Sequence, residues 1–273
     1  MSAQRFLTAL IIGPAAILLI LFTNNAWFAL VIAISMLGGL WEWARIAGFS
    51  SRVFRAVLLA LVAGLLWFIW HLSWPWLWTT LATIGAGWWL LALFWLRQLT
   101  FAASPTTSHA WIKLGAGLLA LLPTWAALVG LHDGSMRRHA WTLLALLIVW
   151  AADSGAYMAG VCFGRRHLAP SISPGKTWEG VFGGAVLALL FAAGGAWLLD
   201  IRGLGFVLLL GIALLTVFFS VVGDLFESLL KRQAAVKDSG AMFPGHGGLL
   251  DRMDSMLAAL PWFYILTKLV FRI

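Results

Sequence analysis

The residues equipped to do chemistry gather near the C-terminal end of the chain. Asp224, Glu227, Ser228, Lys231, Arg232, Lys237, Asp238, His246, Asp251, Arg252 and Asp254 fall within one short stretch of a sequence that is otherwise almost wholly apolar. Ionised groups are costly in hydrocarbon, so charge at that density marks a functional site by default. Asp224, Glu227, Ser228 and Lys231 are spaced i, i+3, i+4 and i+7, so a helix over 221–232 presents all four on one face. Asp251, Asp254 and Ser255 repeat the i, i+3, i+4 spacing at the head of the last apolar segment. Between the two faces lies Phe243-Pro244-Gly245-His246-Gly247-Gly248, whose glycines and proline can fold backbone amides around an anion. Two carboxylate faces and an anion-binding turn point to metal-assisted phosphate chemistry.

Two other stretches belong with this core. Asp153 sits inside an apolar run, where a charge costs about 2.5 to 3.5 kcal/mol on insertion scales, so it needs a partner. The small residues beside it, Ala151, Ala152, Gly155, Ala156, Ala159 and Gly160, suit close helix packing, which leaves a structural polar clamp open as a second reading. Downstream, Ser173-Pro174-Gly175-Lys176-Thr177-Trp178-Glu179-Gly180 opens another segment, and Lys176, the Thr177 hydroxyl and free helix amides make a phosphate grip. It is not a P-loop, because Pro170 stands where the upstream glycine of that motif would be.

The elements that position these residues are membrane helices. The 273 residues are 62% hydrophobic and 10% charged, whereas a soluble domain carries about a quarter charged residues. Windows of about 20 apolar residues place segments at 6–22, 26–46, 53–70, 74–96, 111–131, 139–160, 178–199, 204–226 and 253–271. The expected fold is therefore all-α and polytopic, with about nine spans and the active site in the C-terminal helices. Three stretches follow: N-terminal helices over 1–72, middle helices over 73–135 and a catalytic stretch over 136–273. The eighteen tryptophans cluster near segment ends, as interfacial anchors would. The first segment reads as a retained helix, since no small-x-small cleavage site precedes Asn24. A single cysteine, Cys162, excludes an intrachain disulfide and a cysteine-built zinc site.

Orientation follows from Lys and Arg. The connections after even-numbered segments, taken with the C-terminus, hold 14 of the 18, and Arg5, Arg137, Arg138 and Arg202 fall to the other side. That asymmetry makes the even connections cytoplasmic. The formal charge of +8 is then an orientation signal and an attraction to anionic headgroups, with no need of nucleic acid. Seven of the ten acidic residues, Asp153, Glu179, Asp224, Glu227, Asp238, Asp251 and Asp254, fall where helices approach that same side. In the N-terminal half the one acid within a span is Glu42, expected to form an i, i+3 ion pair with Arg45.

With these residues in view, the chain closely resembles the CTP:phosphatidate cytidylyltransferases, or CDP-diacylglycerol synthases. Their signature is filled here by Ser228, Lys231, Arg232, Lys237, Asp238, Gly240, Phe243, Pro244, His246, Gly247, Gly248, Asp251, Arg252 and Asp254. Asp153-Ser154-Gly155-Ala156-Tyr157, Ser173 to Gly180, and Gln4-Arg5 with Thr8-Ala9 are also similar to the family's stretches. The resemblance spans nearly the whole chain and is specific from about residue 150 onward.

The resemblance implies a bacterial inner-membrane enzyme, its site facing the cytoplasm, that converts phosphatidate and CTP to CDP-diacylglycerol and diphosphate with Mg²⁺. A homodimer is implied by the resemblance alone. The residues suit that chemistry, since two polyanions meet only if cations neutralise the developing charge and hard cations take carboxylate oxygens. Asp224 and Asp251 are the expected primary metal ligands, with Glu227 and Asp254 as further ligands or as groups that support the ligands from behind. Two ions would suit an in-line displacement, and one remains open. Lys231, Arg232, Lys237 and Arg252 suit the triphosphate and the lipid phosphate. His246 would donate to the leaving diphosphate or fix the loop. Asp153, Lys176, Thr177, Glu179, Ser228, Gly247 and Gly248 complete the substrate pocket, and Asp238 pairs with a nearby cation.

Other readings remain at this point. A CTP-using lipid kinase of the polyprenol type would pass a γ-phosphoryl group to a lipid alcohol. An ion-coupled transporter also explains intramembrane carboxylates, but has no use for the Lys, Arg and glycine turn. The D-x-x-D-G-x-x-A-R signature of CDP-alcohol phosphotransferases is missing from the sequence.

Overall fold

The computed structural model describes residues 3–72, 74–242 and 247–272, with side chains from Gly13 onward except at Pro75. The helices are α1 Ala3–Phe22, α2 Asn25–Ala47, α3 Arg52–Leu72, α4 Pro75–Arg97, α5 Thr107–His132, α6 Met136–Phe163, α7 Trp178–Leu198, α8 Leu204–Gln233 and α9 Asp254–Phe271. Each expected segment has its helix. The chief extension is at α8, which runs to Gln233 because the polar face through Asp224 and Lys231 continues the helix beyond the apolar window. Among the described residues, α2 to α9 are long and apolar enough to cross a membrane, and Gly13–Phe22 of α1 adds a shorter apolar helix.

A helix carries its backbone hydrogen bonds within itself, which is what a hydrocarbon environment demands of a spanning segment. Packing then sets the layers. α5 is central, with buried residues on every side, and packs against α2, α4 and α9, while α8 lies along α9 and α6 along α7. The small residues flanking Asp153 serve the α6–α7 contact. A Cβ on Gly155 would lie 2.7 Å from the Gly183 carbonyl oxygen and 2.9 Å from Leu187 Cβ, so only glycine admits this approach.

Four large tryptophans depart from the interfacial role expected of them. Trp43, Trp89, Trp125 and Trp141 are fully buried in the core. Three of them staple helices together: Trp43 Nε1 donates to the Lys113 carbonyl at 2.8 Å, Trp89 Nε1 to Leu257 at 2.8 Å and Trp125 Nε1 to Ala29 at 3.0 Å. A helix carbonyl keeps a second lone pair after its own i+4 bond, and without water an indole N–H is satisfied by taking it. Trp27, Trp67, Trp74, Trp76 and Trp197, nearer helix ends, are exposed.

The strand count also departs from an all-helical reading, in one small element. β1 His167–Ala169 pairs antiparallel with β2 Ser173–Thr177 in the α6–α7 connection. Ser173 to Thr177 is thus extended chain leading into α7, and the helix begins only at Trp178.

The helix path corrects the charge count. α9 starts beside the α8–α9 connection and crosses once, so the C-terminus lies on the opposite face: the Phe271 ring centroid lies 5.0 Å from that of Trp141 near the start of α6, and Phe271 approaches Gly205 at the start of α8. Lys268 and Arg272 therefore belong with Arg137, Arg138 and Arg202, and Arg5 belongs with the even connections. The asymmetry keeps its sign, and Arg5 now agrees with it.

Candidate active site

The polar face of α8 points where it does because its opposite face is anchored. Phe226 is fully buried among Trp88, Trp89 and Trp95, whose rings meet it edge-on at 5.9, 5.7 and 5.3 Å. That contact turns Asp224, Glu227, Ser228 and Lys231 away from the aromatic cluster. Gly223 brings the head of α9 against them, since any Cβ there would overlap the Asp254 carbonyl oxygen. α6 supplies Asp153 and β2 supplies Lys176 from the other side. Between α6, α7, α8 and the hairpin lies a cavity of about 270 Å³, lined by Asp153, Lys176, Thr177 and Asp224 at its polar end and by residues such as Val217 and Val221 elsewhere.

Ion pairs tie these groups together. Lys176 Nζ pairs with Asp224 Oδ2. Lys231 Nζ lies 2.5 Å from Glu227 Oε2 and 2.6 Å from Asp251 Oδ1, bridging α8 to the last connection. Ser228 Oγ donates to Asp224 Oδ1 at 3.4 Å, and Ser255 Oγ to Asp153 Oδ1 at 3.2 Å, which gives the intramembrane aspartate its partner. Asp254, the first residue of α9, accepts from the Ser255 N–H at 2.7 Å, where the helix dipole favours a carboxylate.

Asp251 organises the connection between α8 and α9. It rides on a single 3₁₀ turn, Leu250–Arg252. Its Oδ2 accepts from the Gly248 N–H at 2.7 Å and the Ser239 N–H at 2.9 Å. Burial pushes its carboxyl up, but the Lys231 ammonium, the Gly248 N–H and the Ser239 hydroxyl outweigh burial and hold it below the ordinary aspartate value.

Backbone amides from Gly248 to Leu250 serve protein carboxylates. Glu42 of α2 is buried and accepts from the Ser239 hydroxyl at 2.8 Å, the Leu249 N–H at 3.1 Å and the Leu250 N–H at 2.8 Å. Arg45 donates to the Ser239 carbonyl, and no Glu42–Arg45 ion pair forms among the described residues. The expected i, i+3 pair gives way because Arg45 is exposed while Glu42 faces inward to unpaired backbone donors.

Other sequence candidates fall as follows. Thr177 Oγ1 accepts from the Gly180 N–H at 3.1 Å and so caps α7. Glu179 accepts the Arg165 and Arg166 N–H groups at 3.1 and 3.2 Å, closing the hairpin onto α7. Arg232 Nε donates to the Ile172 carbonyl at 3.2 Å, while Lys237, Asp238 and Arg252 are exposed at the rim. Asp238 makes no ion pair among the described residues. Gly247 adopts φ +81°, and a Cβ there would meet Asp251 Oδ2 at 2.6 Å. Phe243, Pro244, Gly245 and His246 lie outside the described residues. Glu42, Arg45 and Ser239 were missed, and one signal pointed to the first: it is the lone acid within a span of the N-terminal half.

The donor set fits a hard divalent cation. Asp153, Asp224, Glu227 and Asp254 are carboxylates from α6, α8 and α9 facing one region, and Glu227 Oε1 is buried with no hydrogen-bond donor among the described residues. No three acidic, histidine or cysteine side chains among the described residues converge into a finished cage; Asp224 pairs with Lys176 and Glu227 with Lys231.

The chain is similar to known proteins over nearly its whole length. The model of the cytidylyltransferase family matches residues 3–270. The phosphatidate cytidylyltransferase of Pseudomonas aeruginosa is 43% identical over 264 residues, covering 96% of both chains. That of Haemophilus influenzae is 35% identical over 297 residues, covering 96% of this chain and 97% of its own. The Bacillus subtilis protein of the same name is 46% identical over 125 residues, 46% of each chain.

Proposed function

Since the chain belongs to the cytidylyltransferase family and is an integral membrane nucleotidyltransferase, we propose that it transfers the cytidylyl group of CTP to phosphatidate, giving CDP-diacylglycerol and diphosphate. The observation that carries this reading is the cavity with lysine and carboxylate groups at one end and apolar walls beyond. A substrate with a phosphate head and acyl chains needs both.

In the reaction a phosphatidate oxygen attacks the α-phosphorus of CTP, and the bond from that phosphorus to the β-phosphate oxygen breaks with its electron pair leaving on diphosphate. The attacking oxygen is already ionised at neutral pH, so no strong general base is required. What the protein must supply is position and positive charge. Lys176 and Lys231 are held on carboxylates at the site and can pass to substrate phosphates as those enter. Arg232, Lys237 and Arg252 stand at the rim to gather the triphosphate, the arginines through bidentate contacts. His246 would donate to the leaving diphosphate or fix the loop. Asp224, Glu227 and Asp254, with Asp251, would hold Mg²⁺, one ion or two, which supplies neutralisation of the phosphate charge when bound. Asp153 braces the site through Ser255, Ser228 orients Asp224, and Thr177, Glu179, Gly247 and Gly248 shape the pocket.

The excess of Lys and Arg on the face of the even connections supports a cytoplasmic site, where CTP is available. A bacterial inner membrane suits the relatives' organisms. Position-specific label tests the reading: with phosphatidate and Mg²⁺, label from the α-phosphate of CTP enters the lipid and label from the γ-phosphate leaves as diphosphate. Label from the γ-phosphate entering a lipid alcohol would instead make it a kinase.

A further inference from the structure

We propose that Glu42 of α2 is a positioning residue for this reaction, holding Ser239, Leu249 and Leu250 in the arrangement that presents Asp251 and Arg252 to the site. The inference rests on the cytidylyl-transfer reading. Glu42 is 6% exposed and receives three donors, the Ser239 hydroxyl and the Leu249 and Leu250 N–H groups, none of them a cation. A buried carboxylate in such surroundings fixes the backbone that solvates it, because moving that backbone strands the charge.

The glycines around it are shaped to the same purpose. A Cβ on Gly240 would overlap the Glu42 carboxylate, and one on Gly248 would overlap both that carboxylate and the Ser239 hydroxyl. Gly240 and Gly248 are thus positions where a side chain of α2 packs directly against the backbone.

Ser239 carries the arrangement through to the reacting side chains. Its Oγ lies 2.8 Å from Glu42 Oε2 and 2.8 Å from Asp251 Oδ2, and its single proton serves one carboxylate at a time. The same Oγ accepts from the Asp251 N–H at 3.3 Å, and Arg45 holds the Ser239 carbonyl. Asp251 in turn pairs with Lys231. Glu42 therefore reaches the site through Ser239 and Asp251, and touches neither substrate nor reacting atom.

A clamp that serves stability alone would give a different result from a residue that sets geometry. The test uses the full-length protein in detergent, with Glu42→Gln, Glu42→Ala, Gly240→Ala and the Glu42→Ala/Gly240→Ala pair. Glu42→Gln keeps the shape but turns an amide toward the backbone donors. It is expected to lower kcat about tenfold or more, because displacement near 1 Å costs that much, while KM for CTP changes little. Amide exchange at Leu249 and Leu250 should quicken while α5 stays protected. Gly240→Ala should impair wild type strongly but add little to Glu42→Ala, since the methyl group then enters space the carboxylate has left. Wild-type kcat in Glu42→Gln, or a kcat that falls only in step with the folded fraction on a thermal melt, overturns the proposal. Unchanged exchange at Leu249 and Leu250 does so as well. If wild type shows no turnover with CTP and phosphatidate, the reaction reading fails, and the exchange measurement still decides whether Glu42 holds the connection.

Discussion

Lys231 Nζ stands 2.6 Å from Asp251 Oδ1, joining α8 to the turn that opens α9, and the same ammonium lies 2.5 Å from Glu227 Oε2. One cation thus compensates two carboxylates that are almost without solvent, with side-chain exposures of 2% for Glu227 and 8% for Asp251. Removing it leaves both charges facing each other. Lys231→Met should therefore destabilise the protein by about 3 to 5 kcal/mol, the range for breaking a buried ion pair. A melt in detergent would show this, and adding Glu227→Gln should recover part of the loss.

The pH dependence of that connection follows from Asp251. Its carboxyl titrates below the ordinary value of 3.8 in the folded protein, so the unfolded chain binds its proton first as pH falls. The stabilisation is fully present above 3.8 and is lost as pH drops through the lower folded value. The melting difference between wild type and Asp251→Asn should accordingly hold steady from neutral pH down to the ordinary aspartate range, then shrink in stronger acid.

Contact between α6 and α7 makes a third expectation. Gly155→Ala puts a methyl group 2.7 Å from the Gly183 carbonyl oxygen, so α7 must move and the cavity beside Asp153 and Lys176 changes shape. Activity should fall at least tenfold, of the order that small displacements cost. Gly87→Ala on α4 meets no atom within 4 Å and should instead stabilise its helix by about 0.5 to 1 kcal/mol. Turnover and melting of the two variants, measured side by side, check the contrast.

How much of this was legible in the sequence varies by residue. The helices were, because long apolar runs leave a hydrocarbon environment few alternatives, and so was the face of Asp224, Glu227, Ser228 and Lys231, because its period is that of a helix. Glu42 was visible as a lone intramembrane acid, but its donors lie 197 to 208 positions away, beyond any local spacing rule. Of the glycine turn only Gly247 and Gly248 are described, and only tertiary structure shows that the Gly248 amide serves Asp251 while the Leu249 and Leu250 amides beyond it serve Glu42. The hairpin over His167 to Thr177 went unread because strands of three and five residues carry too little alternation to stand out. Trp43, Trp89 and Trp125 were read as interfacial because nothing in their spacing reveals the carbonyl each one reaches.

The most direct test of the whole account follows label from the α-phosphate of CTP into lipid, with phosphatidate and Mg²⁺, for wild type beside Asp224→Asn. Asp224 pairs with Lys176 at the polar end of the cavity. Wild type should move the label into CDP-diacylglycerol, and Asp224→Asn should do so about a hundredfold more slowly or less, the scale of losing one electrostatic contact to the transition state. Asp224→Asn turning over at the wild-type rate, or wild type leaving the α-label in water while phosphatidate is present, would contradict it.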